Sequence, residues 1–181
     1  LLHPCQVMAD LMTVYEHKGK LEGLKLAYIG DGNNMAHSLL YGCAKAGMDI
    51  AVATPKNYEP DSEIVENAKE DAKQSGSSVL VTYDPEEAMA NADVVCTDTW
   101  VSMGQEDEKA ERVKIFRDYQ INGALFAKSK EDSIFIHCLP AYRGYEVTDD
   151  VIDGPRSVIF DEAENRLHAQ KAVMAAVMGK V

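Results

Sequence analysis

Three features of the sequence predict an α/β fold: a doubly wound, Rossmann-like five-stranded parallel sheet with helices on both faces. Short apolar, β-branched runs alternate along the chain with segments whose apolar residues recur at helical spacing. The runs are apolar at nearly every position, as in strands covered on both faces. Turn-forming Gly, Pro, Asn or Asp follow each run within a few residues. Strands joined through helices make right-handed βαβ units, which favour the strand order 3-2-1-4-5.

The first helix spans Pro4–Lys18, where Val7, Met8, Leu11, Met12 and Tyr15 keep helical spacing. Pro4 suits its first position and Gly19 its stop. Lys25–Ile29 is the first strand and Gly30-Asp31-Gly32-Asn33-Asn34 its turn. A helix over 35–46 stops at Gly47, and Asp49–Ala53 forms a second strand closed by Pro55. The helix over 61–74 opens with acidic residues, as the helix dipole prefers. Val79–Thr82 is the third strand, Pro85–Met89 a short helix, and Val94–Thr97 the fourth strand. A charged helix is expected over 106–119 with Val113, Phe116 and Tyr119 inward. A short helix near Asn122 leads to the fifth strand, 134–136. Val158-Ile159-Phe160 reads as a last extended piece. The final helix is expected over 162–178, apolar all round from Ala172 to Met178.

A chain of 181 residues is long enough for one domain with a sizeable core. It begins at Leu1, not Met, within what reads as a helix, which suggests a fragment or a processed product. The net charge of −12 argues against a nucleic-acid partner, whose binding rests on cationic contacts. No run of about 18 apolar residues exists to span a membrane, and no basic-then-apolar start marks a signal peptide. Cys5, Cys43, Cys96 and Cys138 are widely spaced and read as free thiols of a reducing compartment, with Cys43 and Cys96 in the core. The acidic stretches at 59–71 and 106–111 read as solvated helix faces.

Chemistry is expected at one edge of the sheet. In a doubly wound sheet, ligands bind beyond the carboxyl ends of the strands where the order reverses. Strands 1, 4 and 5 end there, and the three most unusual loops follow them. The first, Gly30-Asp31-Gly32-Asn33-Asn34-Met35, lacks the third glycine of a dinucleotide loop, and strand 2 offers no acidic residue for a ribose. The amide of Asn33 or Asn34 suits a small polar group such as a carboxylate, or a helix cap. The second loop sets Asp98 at a strand end to meet an ammonium or to cap the next turn, and carries Trp100, the single tryptophan.

The third loop follows Ile134-Phe135-Ile136 and reads His137-Cys138-Leu139-Pro140. Pro140 fixes its own φ, lacks an N–H and keeps Leu139 out of helical geometry. The carbonyls of Cys138 and Leu139 are then free to point into a site, more sharply so if the Leu139–Pro140 bond is cis. Adjacent strand residues face opposite ways and no second ligand pair has metal spacing, so His137-Cys138 is not expected to hold a metal. No elbow motif accompanies a Ser/His/Asp or Cys/His arrangement.

Five motifs appear in order: His3-Pro4-Cys5-Gln6, Asp31-Gly32-Asn33-Asn34, Asp98-Thr99-Trp100-Val101-Ser102-Met103-Gly104, His137-Cys138-Leu139-Pro140 and Glu162-Ala163-Glu164-Asn165-Arg166. Together they resemble the carboxyl-terminal, ornithine-binding half of ornithine carbamoyltransferases, in the aspartate/ornithine carbamoyltransferase family, over essentially the whole chain. The resemblance implies transfer of the carbamoyl group of carbamoyl phosphate to the δ-amine of L-ornithine. The products are L-citrulline and phosphate, and the setting is arginine metabolism in the cytoplasm. It implies no cofactor and no metal. By the same resemblance, His3, Gln6 and Arg166 hold the carbamoyl group, and the carbonyls of Cys138 and Leu139 bind its amide nitrogen. Asn34 and the backbone at Met103 take the ornithine α-carboxylate; Asp98 and Ser102 take its α-ammonium. Cys138, near Asp98 and the δ-amine, helps bring that amine to its neutral form. Cys138, Asp98, His3 and Arg166 form the implied catalytic set.

The family's phosphate-gripping Ser-x-Arg-Thr-Arg motif does not occur in the sequence. The resemblance therefore implies an ornithine-binding domain over 1–181, with interdomain helices near 4–18 and 162–178. The carbamoyl-phosphate-binding domain lies outside these residues, the chain alone is inactive, and the complete enzyme is a homo-oligomer, a trimer or a multiple. Two alternatives stand beside this reading. One is a non-catalytic amino-acid-binding module, which the intact Cys138 and Arg166 argue against. The other is a carbamoyltransferase with another amine acceptor, which the unchanged Asp98 and Ser102-Met103-Gly104 argue against.

Overall fold

Alternation of side chains along each strand decides which helices cover which face of the sheet. The computed structural model describes residues 1–101 and 106–179. Strands β1 (Lys25–Ile29), β2 (Asp49–Ala53), β3 (Val79–Thr82), β4 (Val94–Thr97) and β5 (Ile134–His137) pair in parallel in the order β3-β2-β1-β4-β5, as expected. Leu26 lies beside Val94, and Thr97 beside His137, so β1, β4 and β5 end nearly level. The hydroxyl of Thr97 donates to the Ile29 carbonyl at 2.6 Å and closes that edge. Their three loops therefore emerge together.

Leu26, Tyr28, Val94, Cys96, Ile134 and Ile136 point to one face. There they pack under α1 (Pro4–Lys18), α2 (Asn34–Lys45) and α3 (Ser62–Ser75). Ala27, Ile29, Val95 and Phe135 point to the other, under α4 (Pro85–Met89), α6 (Gly123–Phe126) and α7 (Asp149–Ile152). The period of two along a strand produces both cores. Cys43 and Cys96 are fully buried, and all four cysteines are free. The turn after β1 needs Gly32, because a Cβ there would collide with the backbone of Tyr58, Glu59 and Pro60.

Four local expectations change. The helix expected over 106–119 is interrupted: 3₁₀ turns at Glu106–Glu108 and Arg117–Tyr119 flank α5 (Lys109–Phe116). Phe116 is buried as expected and Val113 and Tyr119 are half-buried, but Arg112 is buried beside them. The extended piece at 158–160 is instead the start of α8 (Ile159–Val177), whose first turn carries Asp161 and Glu162. Ser157 alone bridges to Phe135, and the β-branched pair Val158-Ile159, which suits a strand, leads into the helix instead. The four residues of α7 are too few to show a helical period.

The fourth change concerns α1. Its buried side is Gln6, Val7, Ala9, Asp10, Thr13 and Val14, while Met8 and Tyr15 of the expected apolar stripe are 46% and 56% exposed. Helix α1 turns polar residues toward α8, where Asn165 donates to Thr13 at 3.0 Å and to Glu16 at 2.7 Å. On α8, Met174 and Val177 are likewise 54% and 79% exposed. The two helices thus carry an apolar surface that the described residues leave exposed. No helix among the described residues is long and apolar enough to cross a membrane.

Candidate active site

The crevice is built where β1, β4 and β5 end. Asp98, directly after β4, is 8% exposed. Its Oδ1 accepts from the Thr99 N–H at 2.7 Å and from the Cys138 thiol at 3.3 Å, and its Oδ2 accepts from the Asn33 amide at 2.8 Å. Asn33 is used twice, because its Oδ1 also caps α2, accepting from the N–H of Met35 at 2.9 Å and of Ala36 at 3.3 Å. One amide therefore ties the loop after β1 to the loop after β4, with its oxygen on the helix and its nitrogen on the carboxyl. Capping falls to Asn33, and Asn34 is the exposed first residue of α2.

Burial pushes the Cys138 thiol far up, and the adjacent Asp98 adds to this by its charge and its hydrogen bond. Cys138 is therefore a thiol that donates to Asp98, not a thiolate nucleophile. The next residue, Leu139, has φ +56°, and its bond to Pro140 is cis. A left-handed φ in a residue with a Cβ costs about 1–3 kcal/mol and needs support from its surroundings. His137 supplies it: its Nδ1 accepts from the Leu139 N–H at 2.9 Å. The ring proton is then assigned to Nε2, which lies 3.5 Å from Oε1 of the fully buried Glu146 and makes no hydrogen bond among the described residues. That oxygen also accepts from the Tyr142 N–H at 2.5 Å.

A second polar group lies at the start of α1. The His3 N–H donates to the Ser38 hydroxyl at 2.7 Å. Burial and the Arg166 charge lower the His3 ring below its ordinary value, against a smaller opposing pull from Asp98. The ring is therefore neutral at pH 7 and keeps one N–H to donate. Gln6, 1% exposed, accepts from the Arg166 guanidinium and donates to Asp10 at 2.7 Å and to Glu162 at 3.0 Å. Glu162 in turn accepts from the His137 N–H at 2.7 Å. Through Glu162, the turn after β5 is linked to α1 and α8.

Of the residues singled out in the sequence, Asp98 and Cys138 are in contact, and Gln6 and Arg166 are in contact. His3 senses the charges of both Asp98 and Arg166. Leu139 lies on the turn that His137 braces. Ser102 and Met103 lie outside the described residues. Among the described residues, no group of three or more His, Cys, Asp or Glu side chains could hold a metal ion.

Three supporting features escaped the sequence reading. Arg112 pairs with Asp31, donates to the Trp100 carbonyl, and lies over the rings of Tyr58 and Phe116 at 5.0 and 5.1 Å. It fastens the loop after β1 to the loop after β4 from below. Glu146 hides in a polar loop. Asp10 stands four residues after Gln6 on a buried helix face, and a charged residue in that position is the signal that was available.

A doubly wound α/β domain that gathers a carboxyl, a thiol, an imidazole and a guanidinium along its strand-order switch is a domain for a small, polar, charged ligand. The chain belongs to the aspartate/ornithine carbamoyltransferase family. The family model described as "Aspartate/ornithine carbamoyltransferase, Asp/Orn binding domain" matches residues 22–177. The ornithine carbamoyltransferase of Carboxydothermus hydrogenoformans is 59% identical over 177 residues, which are 98% of this chain and 57% of that protein. That of Caldicellulosiruptor saccharolyticus is 60% identical over 180 residues, or 99% of this chain and 58% of that protein. The solved structure of ornithine carbamoyltransferase from Pyrococcus furiosus superposes with a TM-score of 0.96 at 55% identity, covering 100% of this chain and 58% of that one. The chain thus spans little more than half the length of the relatives it matches.

Proposed function

We propose that this chain is the ornithine-binding domain of an ornithine carbamoyltransferase, which transfers the carbamoyl group of carbamoyl phosphate to the δ-amine of L-ornithine. The contact of the Cys138 thiol with Asp98 at 3.3 Å, on the edge where the Asn33-Asn34 turn also arrives, carries this reading. Asp98 and Ser102 take the α-ammonium. Asn34 takes the α-carboxylate at the amino end of α2, where helix N–H groups and the dipole favour an anion, and the backbone at Met103, outside the described residues, is its second partner. This leaves the δ-amine directed along the crevice toward Cys138.

That amine attacks only when neutral, and a free amine of its kind has a pKa of about 10.4. Desolvation in the crevice lowers it, and the Cys138 thiol, which already donates to Asp98, relays the departing proton to that carboxyl and remains a thiol. The amine's lone pair then adds to the carbamoyl carbon. Charge moves onto the carbamoyl oxygen, where Arg166 and the neutral His3 donate, each such donor being worth about 3–4 kcal/mol in comparable sites. Gln6 and the carbonyls of Cys138 and Leu139 accept from the carbamoyl nitrogen. Collapse breaks the carbon–oxygen bond to phosphate, the attacking nitrogen passes one proton to the departing phosphate, and citrulline is left.

The phosphate itself needs cations beyond Arg166 and His3, which a carbamoyl-phosphate-binding domain would supply against the exposed faces of α1 and α8. The complete enzyme would be a cytoplasmic homo-oligomer, a trimer or a multiple, of arginine metabolism. A citrulline assay with carbamoyl phosphate and ornithine tests the proposal. The complete protein containing this chain should form citrulline and the 181-residue chain alone should form none. Absence of citrulline from the complete protein would overturn the assignment.

A further inference from the structure

Gln6 sits in a corner where every hydrogen-bonding direction but one is spoken for. Both hydrogens of its Nε2 are used, one on Asp10 Oδ1 at 2.7 Å and one on Glu162 Oε1 at 3.0 Å. Its Oε1 receives the Arg166 guanidinium and keeps one lone pair. An amide oxygen and nitrogen are nearly alike in shape, so only such partners decide which way the group faces. Two carboxyls behind the nitrogen and a guanidinium at the oxygen admit a single orientation.

We propose that Asp10 and Glu162 are positioning residues which lock the Gln6 carboxamide with its oxygen toward the cleft, so that this corner accepts from an N–H donor. The proposal rests on the reading of this cleft as a carbamoyl site, and names what gives it its polarity. The distinction matters chemically. A carbamoyl group differs from an acetyl group in carrying NH₂ where the latter carries CH₃, and an acceptor at this point favours the former.

Both carboxyls accept from the same Gln6 nitrogen, and Asp10 Oδ2 has no hydrogen-bond partner among the described residues. Burial pushes both carboxyls up, Asp10 to about 6 and Glu162 well above its ordinary value. Glu162 cannot give up its remaining oxygen, because Oε2 holds the His137 N–H at 2.7 Å. A glutamine at 162 has one acceptor for two donors. If it keeps His137, its own NH₂ faces the Gln6 NH₂, and the Gln6 amide must turn over.

The test uses the complete protein. Glu162→Gln should raise the KM for carbamoyl phosphate roughly tenfold to a hundredfold, the range for losing one strong hydrogen bond. The KM for ornithine should stay within about twofold, because the ornithine contacts lie on other loops. Acetyl phosphate should inhibit the variant better, relative to carbamoyl phosphate, than it inhibits the wild type. Asp10→Asn, which keeps an oxygen for Gln6, should remain close to wild type, whereas Asp10→Leu should behave like Glu162→Gln. An unchanged KM for carbamoyl phosphate in folded Glu162→Gln, or equal rises for both substrates, would overturn the proposal. A second measurement needs neither activity nor a variant. In isotope-labelled wild-type protein, both Gln6 side-chain amide protons should be protected from exchange with solvent. Fast exchange of either would overturn the proposal. If the wild type forms no citrulline while these protons are protected, the function assigned to the cleft fails and the positioning of Gln6 stands.

Discussion

Replacing Arg112 by Met keeps an apolar stem of similar reach and removes only the guanidinium. Asp31, its partner, has 13% of its side chain exposed and Arg112 only 4%. Removing one member of a buried ion pair leaves the other charge uncompensated, at a cost of about 3–5 kcal/mol. The Trp100 carbonyl also loses its donor. For a domain of this size each kcal/mol moves the midpoint by about 2–4 °C, so Arg112→Met should lower Tm by about 6–20 °C. Burial already pushes the Asp31 carboxyl up, with Arg112 pulling the other way, so the variant raises it further. An acid whose folded-state pKa is raised stabilises the fold at low pH and loses that contribution as pH rises through the folded value. The deficit should therefore be greatest at neutral pH and shrink toward the carboxylate range. Thermal unfolding of the chain followed by circular dichroism across pH measures both. The double variant Arg112→Met/Asp31→Asn should recover most of the loss, since no buried charge remains. A fall in Tm of less than about 2 °C, or a double variant no better than the single, would refute the role given to this pair.

Three further outcomes follow from the site. In the complete protein, Asp98→Asn should weaken ornithine binding by about 3–5 kcal/mol while carbamoyl phosphate binding changes little; calorimetry with each substrate decides, and equal losses would count against Asp98 as the ammonium partner. Alkylation of Cys138 near pH 8 should run far slower than that of an unperturbed thiol, because burial and Asp98 hold it protonated; ordinary reactivity by mass spectrometry would contradict the thiol assignment. Gly32→Ala should destabilise the fold by about 1–3 kcal/mol by driving a methyl into the backbone at Tyr58, Glu59 and Pro60, and a neutral effect in denaturant titration would show that this turn is looser than described.

Much of the site's location was legible because it follows from strand order. Asp98 and Cys138 are 40 positions apart, yet both are first residues after neighbouring strands, so their contact could be anticipated from topology alone. The choice between Asn33 and Asn34 for capping could not. Either residue type suits the position, and only the path of the turn past Tyr58, with Gly32 N–H donating to the Tyr58 carbonyl at 2.8 Å, sets which side chain faces the helix end. The buried face of α1 was misjudged for a similar reason: its apolar side chains gave a clear helical period, but a period does not say which side meets α8.

The sequence by itself determined the alternation of strands and helices, the order of the sheet, the two cores and the edge where the loops of Asp98 and Cys138 meet. These depend on local periodicity and on the handedness of crossovers, which each segment carries in its own residues. Only the tertiary structure decided the polar supports: Arg112 under two loops, Glu146 behind His137, and Asp10 with Glu162 behind Gln6. A buried charge is tolerated only where a partner from a distant segment meets it in the right geometry. Such partners leave no periodic trace in the chain, and they become visible only once the segments are packed together.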